Sequence, residues 1–194
     1  KEMILEKINI ERPMKVVMDC GNAAGGINGP DVFNSLGIEL KELFSEPDGT
    51  FPNHHPDPTV EENLQDLIAE MKTGQYDVGL AFDGDADRVG VVDETGDIIW
   101  ADQLMALFLP EIIKNGEDIL FDVKCSQALE DMINRYGGNP IMWKTGHSLI
   151  KQKMGELDCK FGGEMSGHIF FADDYFGYDD ALYVGARLVQ LLSR

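Results

Sequence analysis

The sequence predicts an α/β protein with two consecutive domains, each a mainly parallel mixed sheet covered by helices. Short apolar segments typical of buried strands alternate along the chain with longer amphipathic segments typical of helices. The same order, a strand followed by a helix that ends near a glycine, occurs twice, which indicates a weak internal duplication. With 194 residues, 43% of them hydrophobic, the chain is long enough for two compact cores of about 100 residues each.

The first strand is predicted at Lys15–Asp19, and a glycine-rich segment then leads into a helix that ends before Gly37. Thr59 and Glu62 have the spacing of a capping box, so a second helix is predicted to begin there. Apolar residues recur on one face of that helix, at Leu64, Leu67, Ile68 and Met71. Two buried strands are predicted next, at Val78–Phe82 and Val89–Val92.

The second domain repeats this order. A strand at Asp118–Asp122 precedes a helix that ends near Gly137, and a strand at Pro140–Trp143 follows. Two strand-like runs and a terminal helix are then predicted at Cys159–Phe161, Ile169–Phe171 and Asp179–Val189. The boundary is placed in the segment 96–102, which gives domains of residues 1–98 and 99–194.

Charge and cysteine content limit the partners and the compartment. The 16 basic and 35 acidic residues give a net charge of −19, which argues against nucleic acid or an anionic membrane as a partner. The sequence has no signal-peptide pattern and no run of about 18 apolar residues, so no membrane span is expected. Three scattered cysteines, Cys20, Cys125 and Cys159, lack the spacing of a metal site, so a reducing cytoplasm without disulfides is expected.

The segment Asp83–Arg88 has the composition of a divalent-cation site. Its three carboxylates, Asp83, Asp85 and Asp87, alternate with two small residues. On an extended strand they would lie roughly 6.6 Å apart, too far to share an ion whose oxygen ligands lie at about 2.1 Å. The backbone is therefore predicted to curl, helped by the conformational freedom of Gly84. Because the segment follows a buried strand, it lies where α/β proteins bind ligands.

Three interpretations of this segment compete. A solvated acidic turn does not explain three alternating acids followed by an arginine. An EF-hand calcium loop would match the acids and Glu94, yet Arg88 stands where that loop needs glycine, and the flanking segments are strand-like. A magnesium site for phosphoryl chemistry fits best, with the acids holding the ion and Arg88 free to pair with a phosphate.

A second candidate site is Gly162–His168, which joins two strand-like runs. Glu164, Ser166 and His168 offer acceptor, donor and titratable groups that suit the hydroxyls of a sugar. By itself the segment is equally consistent with a glycine turn that exposes polar residues. The segment Lys144–Ser148 is a weaker signal, because a single histidine near a helix start is more often structural than catalytic.

In order and spacing, these motifs resemble those of the α-D-phosphohexomutase family, in its phosphomannomutase/phosphoglucomutase branch. The resemblance runs along essentially the whole chain. The family's metal loop is similar to Asp83–Arg88, and its sugar-recognition loop is similar to Gly163–His168. Met165 indicates this branch, because phosphoglucosamine mutases typically carry Gln there. Further similar segments are Pro47–Pro58, Asp122–Cys125 and Trp143–Ser148.

The resemblance implies a role for each candidate residue. Asp83, Asp85 and Asp87 would bind Mg²⁺, and Arg88 would assist the transfer of the phosphoryl group. The substrate would be bound by Lys124, His147, Glu164, Met165, Ser166, Gly167 and His168. The catalytic residues would be Arg88, His147 and His168, the histidines because an imidazole titrates near neutrality.

The resemblance also implies the reaction. The family interconverts the 1-phosphates and 6-phosphates of mannose or glucose, through a phosphoserine and a glucose or mannose 1,6-bisphosphate that also serves as activator. Such an isomerase is a phosphoprotein of carbohydrate metabolism. Of the family's four domains, the phosphoserine loop of the first and the phosphate-binding loop of the fourth have no counterpart in this sequence. The chain is therefore expected to be domains two and three, and to be inactive without domains one and four of the same enzyme.

Two alternatives stay open. A phosphatase of the haloacid dehalogenase type also has Asp-x-Asp after a strand, with Asp83 as nucleophile and Asp85 as acid, although it expects Thr or Val at position 87. The other alternative is a non-catalytic module that binds a metal ion or a sugar phosphate, in which case 194 residues would be the whole protein.

Overall fold

The computed structural model describes residues 1–194 and contains two compact units built from nine strands and seven helices. The strands are β1 (Lys15–Asp19), β2 (Glu39–Leu43), β3 (Val78–Phe82), β4 (Val89–Asp93), β5 (Ile98–Ile99), β6 (Asp118–Asp122), β7 (Asn139–Trp143), β8 (Phe161–Gly163) and β9 (Ile169–Phe171). The helices are α1 (Glu2–Lys7), α2 (Gly25–Ser35), α3 (Gln65–Met71), α4 (Ala101–Ile112), α5 (Gln127–Arg135), α6 (His147–Leu157) and α7 (Ala181–Leu192).

The first unit comprises residues 1–99 and 181–194. Its sheet has the order β2-β1-β3-β4-β5, with β2, β1 and β3 parallel and the last two strands antiparallel to their neighbours. The chain leaves β1 on one side to form β2 and returns on the other side to form β3. The carboxyl ends of β1 and β3 are therefore a topological switch point, the place where open α/β sheets bind ligands. Asp19 ends β1, and Asp83 follows β3.

Helices cover both faces of this sheet. On one face α3 buries Leu67 and Met71 against a cluster that includes Val17 and Val92. On the other face lie α2 and α7. A Cβ atom built on Gly185 of α7 would lie 3.0 Å from the side chain of Leu80, so this helix packs closely on β3.

The position of α7 differs from the domain bounds expected from sequence, 1–98 and 99–194. By its packing α7 is part of the first unit, because its apolar face contacts β3, β4 and α2. Sequence composition does not reveal this, since an amphipathic helix at the end of a chain can cover either sheet.

The second unit comprises residues 100–180, and its sheet repeats the order of the first, as β7-β6-β8-β9. Here β7, β6 and β8 are parallel, and β9 is antiparallel to β8. One face is covered by α6, with Ile150 and Met154 in a cluster with Leu120. On the other face Phe108 of α4 lies edge-on to Phe171, with the ring centroids 5.0 Å apart.

The repeat gives the two candidate loops equivalent positions. The loop 83–88 joins β3 to β4, and the loop 164–168 joins β8 to β9. Each therefore lies at the switch point of its own sheet, beside the last residue of a central strand, Asp19 or Asp122. The prediction of two α/β units with mixed sheets is confirmed.

Two local predictions are wrong. The capping box at Thr59 does not form, because the Thr59 hydroxyl donates to Asp57 Oδ1 at 2.7 Å and the segment Glu61–Leu64 is a 3-10 turn. The terminal helix begins at Ala181 and not at the acidic pair before it. No helix combines the length and the apolar character needed to span a membrane. All three cysteines are buried and unbridged.

Candidate functional site

The acidic loop of the first unit brings its three carboxylates together. One oxygen from each of Asp83, Asp85 and Asp87 lies within 4.8 Å of the others. The predicted curl is present, but Ala86 makes it, with φ of 61°, while Gly84 has no positive φ. A left-handed alanine is uncommon, and here its carbonyl accepts a hydrogen bond from Ala181 N at 3.1 Å, which helps to hold the turn.

Asp83 is the fixed member of the three acids. It is 3% exposed, and its Oδ1 accepts hydrogen bonds from the backbone N–H groups of Asp87 and Arg88, at 3.0 and 3.1 Å. Its Oδ2 accepts from Arg88 Nε at 2.7 Å. A carboxylate has about four acceptor sites, so one remains for a cation. Asp85 is exposed and Asp87 half-buried, which leaves one side of the loop open to solvent.

Two carboxylates hold Arg88 in place. Besides Asp83 it contacts Asp57, with Nη1 3.2 Å from Asp57 Oδ1. Burial would raise the pKa of Asp57, but hydrogen bonds from Thr59 and the charge of Arg88 lower it, so Asp57 stays ionised. The loop 47–58 therefore helps to orient the arginine beside the acids. This contact joins residues 31 positions apart, which no local pattern predicts.

The residues of this loop fit a hard divalent cation. Magnesium prefers oxygen ligands and is usually bound through one or two carboxylates together with water. Three converging carboxylates with only one arginine among them leave an excess of negative charge that a divalent cation would balance. The fit rests on the donor set and on the convergence of the oxygens.

A buried ion pair lies at the end of the neighbouring strand. His54 Nε2 is 2.9 Å from Asp19 Oδ2, and His54 Nδ1 is 2.9 Å from the carbonyl oxygen of His55. Both partners are acceptors, so both ring nitrogens must donate and the ring is an imidazolium. The hydrogen bond with Asp19 raises the pKa of His54 to about 8, although burial acts in the opposite direction. His54 thus fastens the loop 47–58 to β1.

In the second unit the predicted sugar loop is held by Glu164. This residue is 2% exposed, and its Oε1 accepts a hydrogen bond from the backbone N–H of Gly146. Burial raises the pKa of Glu164, and the nearby Asp122 acts in the same direction. The carboxylate thus connects two of the segments predicted to bind substrate. Within the loop Gly167 has a φ of 99°, a conformation that favours glycine.

The two candidate catalytic histidines share one carboxylate. Asp179 Oδ2 lies 3.0 Å from His147 Nδ1 and 3.1 Å from His168 Nδ1, and the rings stack with centroids 5.0 Å apart. Since a carboxylate only accepts, His147 Nδ1 carries the proton of its hydrogen bond to Asp179, while His168 Nδ1 lies at ion-pair distance from the same oxygen. Asp179 Oδ1 also accepts from Lys151 at 2.8 Å. Burial would raise the pKa of Asp179, but Lys151 and His147 lower it, so the acid is ionised.

The remaining predicted residues surround this group. Lys124 is exposed in the turn after β6, while Met165, Ser166 and His168 are half-buried. The carboxylate of Asp122 accepts hydrogen bonds from three of the segments at this edge. Sequence reasoning missed the contributions of Asp122, Asp179 and Lys151. Only Lys151 had a local signal, since it follows His147 by four positions and so lies on the same face of α6.

Comparison with known proteins covers the whole chain. Residues 2–96 match the family model described as phosphoglucomutase/phosphomannomutase, alpha/beta/alpha domain II, and residues 100–194 match domain III of the same description. A phosphomannomutase/phosphoglucomutase of Pseudomonas aeruginosa is 52% identical over 100% of this chain and 42% of its own length. A phosphoglucomutase of Neisseria meningitidis is 50% identical over 98% of this chain and 42% of its own length.

A solved structure agrees with these sequence relatives. The phosphoglucomutase/phosphomannomutase family protein of Burkholderia thailandensis superposes with a TM-score of 0.96 and is 49% identical, over 100% of this chain and 43% of its own. The chain thus spans less than half the length of these relatives.

Proposed function

Because this chain belongs to the phosphoglucomutase/phosphomannomutase family and corresponds to its domains II and III, we propose that it supplies the metal-binding and sugar-binding parts of a magnesium-dependent hexose-phosphate mutase. In this proposal Asp83, Asp85 and Asp87 bind Mg²⁺. The observation that carries it is the convergence of these three carboxylates at the switch point of the sheet.

The acidic loop would act on the phosphoryl group. When bound, magnesium supplies positive charge that stabilises a phosphoryl group during transfer. Asp83 would be the anchored ligand, because its hydrogen bonds hold it in place, and Asp85 and Asp87 would complete the carboxylate set. Arg88, oriented by Asp57 and Asp83, would place its remaining N–H donors toward a phosphate oxygen.

The second unit would bind the hexose and accept a proton from one of its hydroxyl groups. Glu164, Met165, Ser166 and Gly167 would bind the sugar, and Lys124 would pair with its phosphate. Because Asp179 accepts the Nδ1 proton of His147, this ring presents Nε2 as the atom that can take a proton from a sugar hydroxyl, and the ring of His168 is stacked against it. The substrates would be the phosphates of mannose or glucose, with the corresponding 1,6-bisphosphate as activator.

The full reaction would need the domains that this sequence does not cover. Its relatives are more than twice as long, and the family's phosphoserine and distal phosphate loop have no similar segment here. We therefore expect the 194-residue chain to bind Mg²⁺ and hexose phosphate but not to isomerise the sugar. A cytoplasmic location stays a prediction from the odd number and scattered positions of the cysteines in the sequence.

Isothermal titration calorimetry with Mg²⁺ tests this proposal. We expect a dissociation constant above about 1 μM, corresponding to about −8.2 kcal/mol or weaker, because a phosphate oxygen from the missing first domain is replaced by water. Asp85→Asn should weaken this binding at least about tenfold. Asp66→Asn, which removes the same charge from an exposed site on α3, should leave it unchanged. Equal binding by Asp85→Asn and the unaltered chain would contradict the proposed site.

The phosphatase alternative meets an obstacle in the structure. A nucleophilic Asp83 would need an exposed carboxylate oxygen, but this residue is 3% exposed and both oxygens accept hydrogen bonds from the loop. A phosphate-release assay with Asp83→Asn distinguishes the two functions. Release by the unaltered chain that this substitution abolishes would favour the phosphatase.

A further inference from the structure

Asp122 lies where three separate segments of the second unit meet. It is the last residue of β6, the central parallel strand, and is 0% exposed. Its Oδ1 accepts hydrogen bonds from the backbone N–H of Met165 at 3.0 Å and from the Cys125 thiol at 3.2 Å. Its Oδ2 accepts from the Thr145 hydroxyl at 2.8 Å. A single carboxylate therefore joins the turn after β6, the loop before α6 and the loop after β8.

These three segments contain the residues to which we assign substrate binding. Lys124 lies next to Cys125, His147 lies two positions after Thr145, and Met165 is part of the sugar loop itself. Burial raises the pKa of the Cys125 thiol, with Asp122 adding to the effect, so Cys125 stays protonated and can donate. Each donor comes from a different segment, so the side chain of Asp122 fixes their positions relative to one another.

In the first unit, Asp19 holds separate segments together in the same way as Asp122 does in the second. Asp19 ends β1 and accepts hydrogen bonds from the N–H of Gly21 at 2.9 Å and from His54, which belongs to a separate loop. The repeat of a buried acid at the end of the central strand indicates a device of the fold for positioning loops. A core position alone would favour an apolar residue, because a buried carboxylate is costly unless it is hydrogen-bonded.

We propose that Asp122 is a positioning residue that holds the Lys124 turn, the Thr145 loop and the Met165 loop in the arrangement that binds hexose phosphate. This inference rests on the proposed function, since it concerns the same site. Asp122 itself has no exposed surface from which to contact a ligand. Asp122 would therefore act through the neighbouring segments, by raising their affinity for hexose phosphate. This effect would be separate from any contribution of Asp122 to the stability of the fold.

The test uses the 194-residue chain and two measurements by NMR. The first is the dissociation constant for mannose 6-phosphate, followed at the amides of Gly146 and Gly167. The second is the rate of hydrogen exchange at the Met165 amide, which donates to Asp122. Asp122→Asn keeps the size of the side chain but removes its charge and one acceptor atom. Thr145→Val removes the donor of one of the three hydrogen bonds and leaves the carboxylate of Asp122 in place.

We expect Asp122→Asn to weaken binding of mannose 6-phosphate at least about tenfold and to speed Met165 exchange by a similar factor, the size of one lost charge-assisted hydrogen bond. Thr145→Val should weaken binding less, about threefold. Asp118→Asn, at the other end of β6, removes a carboxylate that accepts from the exposed Asn139 side chain and should change neither measurement. Ile133→Val, in the core of α5, controls for a loss of stability alone.

Unchanged affinity and unchanged Met165 exchange in Asp122→Asn would overturn the inference, as would an equal loss of affinity in Ile133→Val. If Asp122→Asn does not fold, Thr145→Val decides, because Thr145 is exposed. If the unaltered chain binds no mannose 6-phosphate, the proposed function fails and the exchange measurement decides alone. Faster exchange at Met165 then supports the positioning role, and an unchanged rate overturns it.

Discussion

The ion pair between His54 and Asp19 makes the stability of the first unit depend on pH. The imidazolium donates from both ring nitrogens, to Asp19 and to the carbonyl of His55. When the ring loses a proton, one nitrogen presents a lone pair to an acceptor oxygen, and the buried carboxylate loses its cation. Raising the pH should therefore loosen the loop 47–58 and destabilise the unit that it covers.

The pKa of His54 gives the size and the sign of the effect. The hydrogen bond with Asp19 raises this pKa from 6.5 to about 8, and one pKa unit corresponds to 1.36 kcal/mol. The stabilisation is thus about 2 kcal/mol at most, and about 1 to 2 kcal/mol once solvent screening of the partly exposed ring is allowed for. Because the folded pKa is the higher one, the contribution is complete below about pH 6.5 and is lost as the pH rises through about 8.

The assay compares the unaltered chain with His54→Gln in urea unfolding, followed at the methyl signals of Val17 and Leu80, which report on the first unit. Other titrating groups cancel in the difference between the two proteins. We expect this difference in unfolding free energy to shrink by about 1 to 2 kcal/mol between pH 6 and pH 9. A difference that stays constant, or grows with pH, would refute the assignment of a charged His54.

Further predictions concern close packing and the histidine pair. Gly26→Ala should destabilise the first unit by roughly 3 kcal/mol or more, because its Cβ would lie 1.9 Å from the carbonyl oxygen of Ser45. Gly155→Ala, in α6 with no atom within 4 Å of the new Cβ, should instead stabilise by roughly 0.5 to 1 kcal/mol; thermal melts of both variants measure the contrast, and similar melting shifts would contradict it. Nitrogen NMR should find His147 protonated at Nδ1 when neutral, and Asp179→Leu should remove this preference, since Asp179 accepts from His147 Nδ1.

The sequence by itself was enough to predict the central strands and the position of the acidic loop. The strands at 15–19, 78–82 and 118–122 were predictable because continuous apolar runs need burial on both faces of a sheet. The acidic loop was predictable because three alternating acids have no role in a core. In both cases the information is local, because the polarity of neighbouring residues indicates whether the segment is buried or solvated. The duplicated order of elements was visible for the same reason.

Only the tertiary structure decided which distant side chains meet. Asp122 contacts residues 23 and 43 positions away, and Asp179 lies 32 positions from His147. Parallel pairing brings the carboxyl ends of separate strands to one edge, so a buried acid at the end of a central strand collects donors from several loops. A single acid after an apolar run looks the same in the sequence whether it is solvated or buried. Because packing excludes water from Asp122, its carboxylate bonds only to protein donors and holds the surrounding loops in position.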